Sequence, residues 1–269
     1  NSGQLTIADT ANMTLDGEFL QDGTGPVSTG GDITTTADDI TFTSAVTLTG
    51  DVALDTGTGI GDINFLNTVD GNHTLNMTAD NGGVFADNIV GGTDPLALFE
   101  VTSADIVILD AVTTQGTAGA NAAGNTIDIG SVSAIPDILL TGDLVTAGGG
   151  IDTDTGGINL NNSTAIILEA DDPGTPGSIL LQTNDYGTGA DGAVTTASPS
   201  VESATAWEDG LTIDVGSNDV DLTTATLTNL DHLVVMTEPT QSVNLGAVGV
   251  GDGAGAGVDA AGDANDAID

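Results

Sequence analysis

Apolar residues in this chain come in short alternating runs separated by turn-forming residues, and that pattern leaves few folds open. Leu5-Thr6-Ile7, Met13-Thr14-Leu15, Ile40-Thr41-Phe42, Val46-Thr47-Leu48, Ile63-Asn64-Phe65, Leu75-Asn76-Met77, Ile127-Asp128-Ile129, Ile158-Asn159-Leu160, Leu211-Thr212-Ile213 and Val243-Asn244-Leu245 each flank one polar residue with two apolar ones. Period two over about three to five residues marks a strand with one buried face. Between the runs lie clusters such as Asp55-Thr56-Gly57-Thr58-Gly59, Ala147-Gly148-Gly149-Gly150 and Asp171-Asp172-Pro173-Gly174. These are turn chemistry: Gly supplies positive φ, and Asp bonds its own backbone. No window shows a helical period with caps, so the expected fold class is all-β.

Sandwiches and barrels also use short, evenly spaced strands, but their strands are longer and their cores lean on aromatics. This chain has one Trp, one Tyr and five Phe. Stacked coils bury a long thin aliphatic core with small residues, so a parallel β-helix, or β-solenoid, with irregular rungs is expected over residues 1–250. Rungs of about 20 residues would give about 12 levels and a rod of roughly 60 Å. Residues 251–269, rich in Gly, Ala and Asp, read as a tail or an inter-subunit segment.

One phrase recurs at uneven spacing: Gly31-Asp32-Ile33, Gly50-Asp51-Val52, Gly61-Asp62-Ile63 and Gly142-Asp143-Leu144. It marks a turn delivering a strand. The stretch from Gly31 to about Asp110, with GDITTTADDITFTSAVTLTGDVAL and ADIVILDAVTTQG, resembles the β-strand-repeat, filamentous-haemagglutinin-like giant surface proteins of bacteria. The resemblance implies a right-handed parallel β-helix, extracellular placement and adhesive or matrix-forming duty. The chain departs from that family in showing no amino-terminal secretion domain and in lacking every Lys and Arg. It begins at Asn1 without an initiator Met, as expected of a processed chain or a piece of something longer.

Zero Lys and Arg against 40 Asp and Glu give a formal net charge of -40. Phosphate-backbone binding and polybasic membrane contact need cations, so nucleic acid and anionic lipid are not expected partners. Arginine clamps, Schiff-base lysines and P-loop lysines are impossible. There is no Cys, hence neither disulfides nor thiolate metal sites. No run of about 18 apolar residues is present, so membrane insertion by a helix is not expected. With 39% apolar residues the chain can nevertheless bury a core.

Candidate chemistry is sparse. Parallel β-helices host lyases that use basic residues, which are absent here, and hydrolases that use clustered aspartates. Asp38-Asp39 and Asp171-Asp172 are the pairs to consider as acid and base, yet both sit in turn contexts. His73 and His232 belong to no metal-spacing motif and read as solvated loop or rung-edge residues. Trp207 with Tyr186 could stack on a sugar, while a lone Trp filling an apolar gap is the plainer reading. No catalysis is expected.

Calcium is the strongest chemical expectation. Stacked rungs bring carboxylates within about 4.8 Å with no base to neutralise them, so relief comes from solution cations. Hard oxygen ligands at turns suit Ca²⁺. Asp152 and Asp154 before Gly156-Gly157 form the best fragment, followed by Asp219 with Asp221 and Asp263 with Asp266. Diffuse screening by sodium or magnesium meets the same need. Asn12, Asn72, Asn76, Asn161 and Asn162 lie in glycosylation contexts, and Asn and Thr could instead stack in ladders along the rod.

These readings converge on an extracellular, non-enzymatic structural protein of the cell surface: a fibre, sheath or adhesin stalk. Its expected partners are copies of itself, neighbouring repeats of a longer chain, and surface glycans. The alternatives are a glycan-binding or glycan-cleaving module and an acidic surface-layer protein of a salt-loving organism.

Overall fold

The computed structural model describes residues 2–115, 120–133, 135–146, 156–160, 163–170, 177–183, 191–196, 200–204, 209–218, 220–237 and 241–250. Among them every regular element is a strand. The strands fall into three columns, and the chain visits the columns in turn. The first runs Leu5–Ile7, Val27–Thr29, Val46–Leu48 and Val69–Asp70. Single bridges through Val90 carry it on to Val112–Thr113, followed by Leu144–Val145, Gly177–Gln182, Asp209–Gly216 and Leu233–Thr237. The second runs from Met13–Thr14 through Ile33–Thr34, Val52–Asp55, Thr74–Thr78, Leu98–Ser103, Asn125–Ile129, Gly157–Asn159 and Val194–Thr195. The third runs from Phe19–Gln21 through Ile40–Phe42, Ile63–Phe65, Gly83–Ala86, Ile106–Leu109, Ile135–Leu140, Ser163–Leu168 and Ser200–Ser203.

Each strand named pairs in parallel with its neighbours in the column, an all-β arrangement consistent with a solenoid. Two-residue hairpins cannot make such pairs; a parallel neighbour needs a long return path, which here is one circuit through the other two columns. Early circuits are short, with paired neighbours 19 to 25 residues apart. The middle ones are long, with neighbours 28 to 37 residues apart, and the last levels are short again, at 20 to 26. The expected rung of about 20 residues therefore fits the first and last parts and fails in the middle. Among the described residues the first column has ten levels, counting Val90, which at a rise of about 4.8 Å span roughly 45 Å.

The core lies between the columns. On the third, Ile40, Ile63, Val84, Val107, Ile138, Ile166, Val201 and Leu227 occupy successive levels and are all buried. Each such side chain contributes about 1.5–3 kcal/mol. Phe42 and Phe65 continue the core as stacked rings with centroids 5.3 Å apart, and the half-buried Phe19 ring lies tilted against Phe42 at 5.2 Å.

The alternation also accounts for the longest strand. Val220–Leu230, 11 residues, pairs with the strands of both the second and third columns. Its sequence keeps alternating through Thr224-Ala225-Thr226-Leu227, so no turn residue interrupts it. The neighbouring strand Val243–Val250 pairs along it.

Candidate functional surfaces

The Gly-Asp-aliphatic phrase is the most informative local motif, and its carboxylates face the next circuit. Asp32 Oδ1 accepts the Ala53 N–H at 2.9 Å, Asp51 the Thr74 N–H at 3.0 Å, Asp62 the Gly83 N–H at 2.7 Å and Asp143 the Leu180 N–H at 2.8 Å. The preceding glycine faces the circuit before. A Cβ on Gly31 would sit 2.7 Å from the Ala8 carbonyl oxygen, one on Gly61 2.5 Å from that of Asp38, and one on Gly142 2.4 Å from the Ala111 nitrogen. Glycine thus permits close stacking below while aspartate ties the backbone above, and the aliphatic residue enters the core. Many of the acids in this chain are structural acceptors.

Asp38 and Asp39 line an open recess of about 620 Å³ with Glu18, Ala37, Ile60 and Asp62. Asp39 Oδ1 accepts the Asp62 N–H at 2.8 Å, so one oxygen of the pair is engaged in joining circuits. The recess holds four carboxylates and no histidine. Asp171, Asp172, Tyr186 and Trp207 lie outside the described residues.

The histidines are far apart and differently held. His73 Nδ1 is 3.7 Å from Asp51 Oδ1, whose side chain is exposed. His232 Nδ1 is 2.9 Å from Asp231 Oδ2, and its ring covers Gly210, where a Cβ would come within 2.2 Å of the imidazole.

Among the described residues no group of three or more His, Asp or Glu is placed to hold a metal ion. Asp152, Asp154, Asp219, Asp263 and Asp266 lie outside those residues. The backbone of Asp221 pairs with Thr195 and Asn244, and its side chain is outside the description.

Of the glycosylation candidates, Asn12 is exposed and exchanges hydrogen bonds with Asp32, its amide donating to Oδ2 at 3.0 Å. Asn72 is exposed and donates to Gln115 Oε1 at 3.3 Å. Asn76 is half-buried and donates to Glu100 Oε2 at 2.6 Å. Asn161 and Asn162 lie outside the described residues.

A polar ladder climbs the second column: Asn76, Glu100, Asp128, Asn159 and Thr195 share one register position. Asp128 is buried there, yet accepts hydrogen bonds from the amides of Asn121, Asn125 and Asn159 at 2.5, 3.4 and 2.7 Å. Neutral amide donors satisfy a buried carboxylate where no base exists. The sequence gives no advance sign of this cradle, because Asn121 and Asn159 lie on different circuits.

A second surface missed in the sequence had a visible signal. Gly83-Val84-Phe85-Ala86, Ile106-Val107-Ile108-Leu109, Ile138-Leu139-Leu140 and Ile166-Ile167-Leu168 break strict alternation with continuous apolar runs. Such runs place apolar side chains on both faces of a strand.

No protein-family model matches the chain, and neither does any curated protein or solved structure.

Proposed function

We propose that the chain is a β-solenoid segment of an extracellular structural protein, a fibre, sheath or adhesin stalk without catalytic activity. The observation that carries this reading is the use of the Gly-Asp-aliphatic carboxylates: four of them tie one circuit's backbone to the next. A fold whose recurring motif is spent on joining levels is built for length and stiffness. Uniform negative charge opposes sideways aggregation, while parallel strands at the two ends of a stack offer backbone groups to a copy or a neighbouring repeat. Absence of Lys and Arg removes trypsin-type cleavage points, an advantage outside a cell. Divalent cations stabilise the stack by neutralising its carboxylates. Calcium is the expected ion, acting on the described residues as a screening counter-ion rather than in a closed shell.

The test is negative-stain electron microscopy of the purified protein with calcium and after chelation. Filaments that shorten or melt on chelation support a cation-stabilised polymer; discrete rods unchanged by chelation sink it. One observation favours a second reading, a glycan-binding module: the recess that gathers Glu18, Asp38, Asp39 and Asp62. Binding of soluble oligosaccharides lost in Asp38→Asn with Asp39→Asn would move weight to it.

A further inference from the structure

The outward-facing position at the centre of the third column starts at the exposed Leu20, is polar at Thr41 and Asn64, apolar for four successive levels, and polar again at Glu202 and Thr228. The apolar levels are Phe85, Ile108, Leu139 and Ile167, in consecutive register and each half-buried. The Phe85 ring lies over Gly83, where a Cβ would come within 2.4 Å of it, beside Ile106. Acids border the stripe on both sides. Asp87, Asp110 and Glu169 follow the strands on one side, and Asp105 and Asp137 lie on the other.

We propose that this stripe docks a cationic amphipathic α-helix of another protein, laid along the stack. Charge selects the partner: a second copy would bring its own acidic borders against these with no Lys or Arg on either side, whereas basic residues flanking an apolar seam meet both borders. Spacing selects the helix. Apolar side chains on the stripe recur about every 4.8 Å, close to the about 5.4 Å of one helical turn, while same-face residues of an extended strand recur about every 6.7 Å. Over the four levels a helix stays in step to within about 2 Å and a strand does not.

The probe is a synthetic helical peptide of about four turns carrying one Leu per turn between Lys residues, with a control in which Gln replaces each Leu. Both are titrated into the intact protein at near-physiological salt. The Leu peptide is expected to bind at least about tenfold more tightly than the control. Ile108→Thr with Leu139→Thr is expected to erase that difference while leaving the control unchanged; Thr already fills this register position at Thr41 and Thr228. Ile167→Thr alone, with circular dichroism on each variant, guards against a fold defect and is expected to lose about threefold. Equal binding of both peptides, or affinity indifferent to the substitutions, overturns the proposal. So does sedimentation showing a wild-type dimer that these substitutions make monomeric, because the occupant is then a second copy.

Discussion

The circuits before about Thr113 and those between about Thr113 and Gly216 solve one packing problem with different lengths of chain. In the early part the corner between the first and second columns is brief: Thr29 ends one strand and Ile33 begins the next. In the later part Thr113 is followed by a strand at Asn125, Val145 by one at Gly157 and Gln182 by one at Val194, before Gly216 is again followed closely by one at Val220. Yet the base of the corner is closed in the same way. Thr29 Oγ1 donates to the Gly31 carbonyl, Thr146 Oγ1 to that of Gly156 at 2.6 Å, and Thr183 Oγ1 to that of Gly192 at 2.6 Å. Thr146 and Thr183 are fully buried. A buried hydroxyl paired with a glycine carbonyl fixes where the corner leaves and re-enters the stack, so the residues between are free to vary in number. The order of pairing in each column is thus kept while circuit length varies, with local register shifts such as those at Asn125/Ile127 and Asp214/Gly216.

The core distinguishes the two parts more sharply. The Phe42 and Phe65 stack, with Phe19 tilted against it, belongs to the short circuits, whereas the Phe42 and Phe65 position continues with Ala86, Leu109, Leu140 and Leu168. Phe42→Ala is expected to cost about 3–5 kcal/mol in denaturant unfolding, the largest effect among these changes. A cost below about 1 kcal/mol would show that the rings do not anchor the short circuits.

The carboxylate ties are expected to be indifferent to circuit length. Asp62→Ala in the short part and Asp143→Ala in the long part each remove an acceptor from a partly buried N–H and should each cost about 1–3 kcal/mol. Equal losses sharpen the parallel between the two parts. If Asp143→Ala is neutral while Asp62→Ala is costly, the long circuits are held by something else. The smallest effect belongs to corner length itself. Inserting eight Gly/Ser residues between the exposed Asn72 and the half-exposed His73 imitates a long corner and should cost only about 1 kcal/mol of loop-closure entropy. A larger loss would mean that the short corners are tied to their length.

Much of this was legible in the residues, because alternation is local. Ile40-Thr41-Phe42 and Ile63-Asn64-Phe65 announce strands and their buried faces without reference to any neighbour. The Gly-Asp-aliphatic openings were legible as strand starts but not as ties, since the Asp62 partner, Gly83, lies one circuit away. The Asp128 cradle was hidden for the same reason. Circuit length was obscured because the corners carry the same Gly, Thr and Asp as the strand edges. The apolar stripe was foreshadowed by Ile106-Val107-Ile108-Leu109, which reads as a fully buried strand, whereas among the described residues Ile106 and Ile108 are only half-buried.

Because the chain contains no Cys, register between circuits can be read directly by engineered disulfides. Thr41→Cys with Asn64→Cys probes adjacent short circuits, and Asn159→Cys with Thr195→Cys probes adjacent long ones. Both pairs are expected to close under mild oxidation, while Thr41→Cys with Phe85→Cys, two levels apart at about 9.6 Å, should stay reduced. Closure of the short-circuit pair without the long-circuit pair would contradict a single stack whose register survives the change in circuit length.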